Sequence, residues 1–507
     1  MRRTTVLVVL TALLLAAGLW SGASAQQAGR SNTLRFVLSQ NLVTLDPANL
    51  GFAADRVVAQ NVFSGLVTFK PGTAEVIPDL ATRYEVSPDG KTYTFYLRKG
   101  VKFHKGYGEL TSRDVKFTIE RYKDRTQSRL VADYAPVERV ETPDPYTAVF
   151  RLRTPFAPLL STLGWQSGFI MSEKAVRELG RAITTNPVGT GPYVFESYAP
   201  GNEVVLGANR DYYGGGPRIE KVVLKIIPEE MVGILALQRG EVDMMPLRTV
   251  GAWKLLKSSP RFQVIEVPGI WMDYVMFNVT RPPLSDVRVR RALAHAVDWK
   301  AMEEFYSGLA ELNPSFQPKT VFGWTKDVPT YPTDLNKARA LLAEAGHAGG
   351  LALEIQSRKE LMFDQLAVLV KDWWAKAGVQ GTILITDAAG ELAKINPPAR
   401  NYQVHVQGLS RLDPDHYYAP FLRSDSTTNY MGYAGADDLI DAQRTAPDAK
   451  TRRQVLLQLQ RKIAEDLPVI SLGTRKSLVV ARQGVAGITA ISYAGVVIFR
   501  TAHFAGN

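Results

Sequence analysis

The stretch TRYEVSPDGKTYTFYLRKGVKF, residues 82–103, constrains the fold more than any other part of the sequence. Two runs in which polar and apolar residues alternate flank the tetrapeptide at 87–90, and such alternation is typical of half-buried β-strands. Proline, aspartate and glycine in the tetrapeptide supply the backbone conformations that a tight turn needs. The stretch therefore predicts a β-hairpin, which an all-helical fold would not contain.

Helical patterns alternate with strand patterns along the rest of the chain. One helix is predicted to begin at Thr111 or Ser112, because both are favoured helix caps. Another follows Thr333 or Asp334, has leucines and alanines at helical spacing, and ends at Gly346. This alternation predicts a mixed α/β protein.

The length of the chain predicts more than one lobe. Of its 507 residues, 46% are hydrophobic and 21% are charged, which is ordinary for a globular protein. Single cores seldom grow beyond roughly 250–300 residues, so two or more lobes are expected. No internal repeat or low-complexity linker stands out, which predicts that the lobes are closely joined.

The first 25 residues have the composition of an export signal. Arg2 and Arg3 precede a mostly apolar run at 6–20, and the sequence Ala-Ser-Ala that ends at residue 25 provides a cleavage site. An uncleaved membrane anchor is the alternative. No later segment has the roughly 18 uninterrupted apolar residues that a membrane helix needs. We therefore expect a periplasmic protein exported by a cleaved signal peptide.

Cysteine content and charge exclude several other classes. The chain has no cysteine, so a lipoprotein anchor, disulfides and thiol nucleophiles are excluded. The formal net charge is +11. The densest basic stretch, residues 287–298, has the pattern of an amphipathic helix rather than of basic residues interleaved with aromatic ones. We expect no nucleic-acid partner.

Five stretches together resemble one known family. They are residues 78–121, which contain the predicted hairpin, and the sequences NPVGTGPYVFESYAPG, FNVTRPPLSDVRVRRALAHAVD, TDLNKARALLAEAG and LQRGEVDM. They occur in the order the family has them and span most of the chain after the signal. The chain thus resembles the extracytoplasmic solute-binding proteins of ABC importers, in the dipeptide/oligopeptide-binding family, solute-binding protein family 5.

This resemblance implies the α/β fold of the two-lobed periplasmic binding proteins, with mixed sheets, two chain crossings and a hinged inter-lobe cleft. An extra domain is implied in the N-terminal half. By analogy, after the signal peptide at 1–25, lobe I comprises residues 26–55, 190–267 and 478–507, domain II comprises 56–189, and lobe III comprises 268–477.

The resemblance also implies a function. Such proteins capture a peptide-like small solute between their lobes and deliver it to the membrane permease of an ABC importer. The solute favours the closed state because it contacts both lobes, and hinge residues absorb the motion. No cofactor is expected, and a monomer is expected because relatives are usually monomeric. An opine, an oligosaccharide or a nickel complex is an alternative solute.

The stretch VQGLSRLDPDHYY corresponds to the part of lobe III that faces the cleft in peptide-binding members. Those proteins carry a tryptophan, then an aspartate three residues on that pairs with the ammonium of the peptide, then an Asp-Pro step three residues later. Here Asp413 begins the Asp-Pro step, but Gln407 and Ser410 replace the tryptophan and the first aspartate. Serine cannot neutralise a buried ammonium, and Arg411 adds positive charge.

This departure disfavours an ordinary dipeptide and favours an anionic or sugar-like solute, or a peptide held through its backbone. We expect ligand contacts at Ser410 and Arg411, with Asp413 as either a contact or a turn residue. Trp271 and Tyr274 lie near the first crossing and are candidates for stacking on a ligand, as is Trp165. A role in the core is the alternative for these aromatic residues.

A secreted hydrolase is the main rival class. The G-x-S-x-G elbow of α/β-hydrolases is absent around Ser410, where the sequence is QGLSR. Sequence spacing does not reveal whether two carboxylates face each other as in a glycosidase. The six histidines are scattered and no H-E-x-x-H occurs, although His405 and His416 would form a pair if they met in space. We expect no catalytic residue and no metal site.

Overall fold

The computed structural model describes residues 32–359, 362–490 and 496–505. The export signal predicted for residues 1–25 lies outside the described residues. Among the residues that are described, no helix is long and apolar enough to cross a membrane.

The strands are distributed along the whole described chain. They are β1 (Thr33–Leu38), β2 (Val67–Phe69), β3 (Val76–Pro78), β4 (Ala81–Val86), β5 (Thr92–Leu97), β6 (Val137–Asp144), β7 (Thr147–Leu152), β8 (Tyr193–Ala199), β9 (Glu203–Ala208), β10 (Lys221–Ile226), β11 (Met244–Leu247), β12 (Phe262–Phe277), β13 (Ala310–Glu311), β14 (Leu351–Arg358), β15 (Val379–Thr386), β16 (Val404–Ser410), β17 (Val469–Arg482), β18 (Val485–Ala486), β19 (Thr489–Ala490), β20 (Val497–Ile498) and β21 (His503–Phe504).

The helices alternate with these strands, most regularly after β10. They are α1 (Ala53–Val62), α2 (Ser112–Tyr122), α3 (Val131–Tyr134), α4 (Leu159–Gly164), α5 (Glu173–Leu179), α6 (Glu230–Arg239), α7 (Val250–Leu256), α8 (Val287–His295), α9 (Trp299–Tyr306), α10 (Leu335–Glu344), α11 (Phe363–Lys376), α12 (Ala388–Ile395), α13 (Asp415–Leu422), α14 (Asp437–Arg444) and α15 (Ala449–Asp466).

One large mixed sheet extends through both lobes. Its strand order is β15-β14-β16-β12-β17-β11-β1-β10-β9-β8, with β13 paired to β17. β1 is parallel to β10 and β11, and β14 is parallel to β15 and β16. The antiparallel pair β12 and β17 is long enough to belong to both lobes. These two strands are the chain crossings that the resemblance implied.

The ladder between β12 and β17 is interrupted where the lobes meet. Pairing stops at Val267 and resumes at Trp271, which lies opposite Arg475. Gly269 lies in this gap, and a Cβ atom there would be 1.5 Å from the carbonyl oxygen of Arg475. Only glycine permits so close an approach of the two backbones. The second region of the sequence was expected to begin with a strand at Trp271, whereas β12 already starts in lobe I.

Apolar side chains form separate cores. In lobe I, β1, β9 and β10 pack against α1, and domain II has its own cluster around its four-stranded sheet. Lobe III has two clusters, because β12 buries both of its faces there. Val275 and Phe277 pack on the side of α8 and α11, whereas Tyr274 and Met276 pack on the side of α13 and α15.

The local predictions are confirmed where they can be compared. In domain II, β4 and β5 form the expected hairpin, and the N–H of Gly90 donates to the carbonyl of Ser87 at 2.8 Å. Helix α2 follows Thr111, whose N–H donates to the carboxylate of Asp114 at 2.9 Å. Helix α10 is capped by the side chain of Asp334. Short-range hydrogen bonds therefore explain why these elements were predictable.

Candidate ligand-binding cleft

Three strands of lobe III bring polar and aromatic residues to the junction with lobe I. Trp271 on β12 lies in register with Ser410 on β16 and with Arg475 on β17. The gap in the β12–β17 ladder is directly next to Trp271, so this end of the strands borders lobe I. Trp271 is half-buried, and Ser410 and Arg475 are buried. We call this end of lobe III the cleft wall.

A fully buried carboxylate orients the cleft wall. Asp273 accepts hydrogen bonds from the guanidinium of Arg475 at 2.7 Å, from the hydroxyl of Tyr306 at 2.9 Å and from the indole of Trp271 at 3.2 Å. The ring of Phe363 stacks on Trp271 with 6.3 Å between centroids. Because Asp273 has several donors around it, the Trp271 indole and the Arg475 guanidinium are held in fixed orientations.

A second buried carboxylate lies behind the wall. Glu391 on α12 forms an ion pair with Arg358 at 3.0 Å, and its other oxygen is 2.7 Å from Nε2 of His405. His416, by contrast, has its Nε2 3.5 Å from the hydroxyl of Thr162. The two histidines therefore have different partners. Across the described ranges, no group of three or more metal-ligating side chains is found.

Arg411 has a different environment from Arg358 and Arg475. One of its guanidinium nitrogens donates to the Ser410 carbonyl at 2.8 Å, and the group lies 5.5 Å from the Phe421 ring centroid. Burial raises the pKa of the Tyr430 hydroxyl, and the positive charge of Arg411 opposes this. Arg411 thus lies near both aromatic rings. No carboxylate oxygen lies within 4.0 Å of it in the portion of the chain that is described.

Asp413 points into lobe III rather than along the wall. Its carboxylate accepts from the Arg452 guanidinium at 2.5 and 3.1 Å and from the N–H of Asp415 at 2.8 Å. Both members of the ion pair are buried. Burial alone would raise the pKa of Asp413, but Arg452 outweighs it and the pKa is lowered. Asp413 therefore fixes the start of α13 against α15.

Tyr274 lies beneath the wall. It is fully buried, its hydroxyl donates to the carbonyl of Phe316, and its ring packs 5.1 Å from the Phe316 ring. Trp165 ends α4 in domain II and packs against the lobe III cluster that contains Leu412. It therefore lies between domain II and lobe III, on the opposite side of the space from Trp271.

Domain II touches lobe III through residues 156–165. The N–H of Ala157 donates to the carbonyl of Arg444 at 2.8 Å, and the Arg444 guanidinium lies 5.5 Å from the Phe156 ring. His416 and Leu412 meet the same segment through Thr162 and Trp165. The quoted stretch VQGLSRLDPDHYY thus has two parts: residues 407–411 belong to the wall, and residues 412–416 contact domain II.

A cavity of about 280 Å³ between lobe I and domain II contains a titratable group that the sequence did not indicate. Asp79 accepts a hydrogen bond from Tyr213 at 2.5 Å, and Arg98 and Arg500 lie nearby. Burial raises the pKa of Asp79 to about 6, against the opposing effects of Tyr213 and of both arginines. Asp79 and Tyr213 are 134 positions apart, so spacing along the chain could not reveal the pair.

Asp79 should make stability depend on pH. Its pKa is raised in the folded state, so its favourable contribution is present below about 3.8 and is lost as the pH rises through about 6. We expect Asp79→Asn to flatten this part of the profile. At pH 7.5 it should raise the unfolding free energy by about 1–2 kcal/mol, after discounting for partial exposure. Urea unfolding at pH 4, 5.5 and 7.5 measures this.

Asp327→Asn is the control for Asp79→Asn, because the Asp327 side chain is 86% exposed in its pair with Arg461. It should leave the pH profile unchanged. An identical pH slope in wild type and Asp79→Asn would show that Asp79 does not titrate as described.

Comparison with known proteins gives a consistent result. The family model described as "Bacterial extracellular solute-binding proteins, family 5 Middle" matches residues 75–429. The dipeptide-binding protein of Escherichia coli (strain K12) is 32% identical over 444 residues, which is 81% of this chain and 83% of that protein.

Solved structures agree over nearly the whole length. The binding protein DppA from Helicobacter pylori, in complex with the peptide STSA, is similar with a TM-score of 0.81 and 27% identity, over 93% of this chain and 98% of that chain. MoaA from A. tumefacien R10, in complex with mannopinic acid, has the same TM-score and identity, over 94% and 100% of the two chains. The two-lobed α/β fold implied by the resemblance is thereby confirmed.

Proposed function

The chain belongs to family 5 of the bacterial extracellular solute-binding proteins, and from this membership we propose that it captures a peptide-like small solute between lobes I and III. The solute is then delivered to the membrane permease of an ABC importer. The family is one of binding proteins, and we propose that this chain performs no chemistry on its solute.

The observation that carries the proposal is the position of the cleft wall beside the two crossings. Trp271, Ser410 and Arg475 lie next to the interruption in the β12–β17 ladder, where the relative position of the lobes is set. A solute that touches this wall and lobe I contacts both halves. It would therefore favour the closed state by its differential affinity.

We propose that Ser410, Arg411 and Trp271 contact the solute directly. Asp413 and Tyr274 would act through the residues they support, since the carboxylate of one and the hydroxyl of the other are bound inside lobe III. Trp165 would approach the solute from domain II. The division into lobe I, domain II and lobe III at the predicted boundaries is part of the same proposal.

A non-peptide solute in the same transport role is the second candidate. Ser410 stands where peptide-binding members carry an acidic residue, and this favours it. The E. coli relative is named for dipeptides, whereas MoaA was solved with mannopinic acid, so similar chains hold different solutes. An opine therefore belongs in any ligand screen, as do oligosaccharides and nickel complexes.

We propose a periplasmic location, reached by cleavage of a signal peptide at residue 25. The absence of cysteine supports a protein without a lipid anchor. We also propose that the protein acts as a monomer.

Ligand-induced stabilisation without turnover tests the function. The purified protein is incubated with pooled dipeptides, opines and oligosaccharides while thermal unfolding, small-angle scattering and product formation are followed. A bound solute at 100 times its Kd should add about 2.7 kcal/mol to the unfolding free energy. The radius of gyration should decrease as the cleft closes. Consumption of a pooled compound with an unchanged scattering profile would reject the proposal.

A further inference from the structure

We infer that the solute carries an anionic group that binds Arg411, and that it has no primary ammonium group. This inference rests on the proposed function, because it names the chemistry of the solute for the same cleft.

The charges of the wall support the first half of the inference. Arg475 is paired with Asp273, and Arg358 is paired with Glu391. Arg411 is the third guanidinium at this end of lobe III, and in the described residues no carboxylate lies within 4.0 Å of it. The wall therefore has a positive charge that the protein itself does not neutralise.

The hydrogen-bonding capacity of Arg411 points the same way. A guanidinium has five N–H donors in a planar fork, and here one nitrogen donates to the carbonyl of Ser410. A carboxylate or phosphate of a solute can accept from two donors at once, which makes such pairs strong and directional. The half-buried position of Arg411 beside the Phe421 ring reduces screening by water.

The second half of the inference follows from the acceptors of the wall. An ammonium group that is removed from water needs an anionic partner. The carboxylate of Asp273 already binds Arg475 and Tyr306, and that of Glu391 binds Arg358 and His405. Ser410 offers only a hydroxyl. A primary ammonium would therefore meet the charge of Arg411 without a free carboxylate to balance it.

Matched chemical forms of one solute class test this directly. A set of dipeptides is prepared in three forms: unmodified, N-acetylated, and C-terminally amidated. Binding is measured by calorimetry and thermal shift. We expect N-acetylated dipeptides, which keep the carboxylate and lose the ammonium, to bind at least tenfold more tightly than the unmodified forms. Amidated dipeptides should not bind. Equal or tighter binding of the unmodified or amidated forms would overturn the inference.

Two substitutions assign the effect to named residues. Arg411→Met should weaken binding of the N-acetylated form at least tenfold. Arg453→Met, which removes the same charge from an exposed position on α15, should have no effect. Ser410→Asp should reverse the preference, so that the unmodified dipeptide binds more tightly than the N-acetylated one. Circular dichroism melting confirms that each variant is folded.

The possible failures are distinguishable. Undiminished binding by folded Arg411→Met would overturn the assignment to Arg411 while leaving the transport role intact. If none of the three forms stabilises the protein, and the pooled opines and oligosaccharides also fail, the proposed function itself is rejected and the inference with it. Tight binding of a neutral oligosaccharide alone would reject the anion and keep the function.

Discussion

Replacing Asp413 by asparagine is expected to lower the unfolding free energy by about 3–5 kcal/mol, because it leaves the buried guanidinium of Arg452 without its counter-charge. The two side chains are 2% and 7% exposed, so water cannot take the place of the carboxylate. Because Arg452 holds the pKa of Asp413 low, the contribution is present at neutral pH and disappears as the pH falls below about 3.8. Guanidinium chloride unfolding at pH 7.5 measures the loss.

Asp425→Asn is the matched control for Asp413→Asn. Asp425 pairs with Arg423 at 2.7 Å but its side chain is 69% exposed, so the loss should be below about 1 kcal/mol. Solute affinity of folded Asp413→Asn, measured at low temperature, should be nearly unchanged. Normal stability combined with lost binding would instead place Asp413 among the direct ligand contacts.

Replacing Asp273 by asparagine should impair both stability and binding. The carboxylate balances the buried Arg475 and accepts from Tyr306 and Trp271, so its loss should cost about 3–5 kcal/mol of unfolding free energy. The Trp271 indole and the Arg475 guanidinium would then lose their orientation. We expect solute affinity to fall at least tenfold in the fraction that remains folded. Denaturant unfolding and calorimetry measure the two effects.

Glu266→Gln controls for a charge change on the same two strands. Glu266 and Lys476 form a pair at 2.8 Å across β12 and β17, with side chains 41% and 26% exposed. Its removal should cost less than about 1 kcal/mol and leave affinity unchanged. A comparable loss in Glu266→Gln and Asp273→Asn would mean that burial of Asp273 has no special role.

The sequence predicted the elements whose determinants are local. The turn at 87–90 and the caps at Thr111 and Asp334 depend on hydrogen bonds between residues no more than five positions apart. The extent of β12 was not predicted, because its lobe I half gains its partners from β17, which lies some 200 positions later. Alternation within a short window does not contain that information.

The candidate site divides in the same way. Ser410 and Arg411 were found because the family pattern assigns positions to them, and the pattern also showed that the amine-binding aspartate is missing. Asp273 was overlooked because Arg475 is 202 positions away, and a lone aspartate in an apolar strand has no distinguishing neighbour. The pairing of Asp413 with Arg452, 39 positions on, likewise depends on how α13 packs against α15.

The paired strands β12 and β17 also determine which lobe movements cost little energy. They remain hydrogen-bonded to each other on both sides of Gly269, so they form a two-stranded ribbon rather than two independent tethers. Such a ribbon resists sliding and torsion, because either would break ladder hydrogen bonds, but it bends across its flat face at the unpaired residues. Opening is therefore expected to follow a single angular coordinate. A solute would be released through a widening wedge, without any rotation of one half about the long axis of the other.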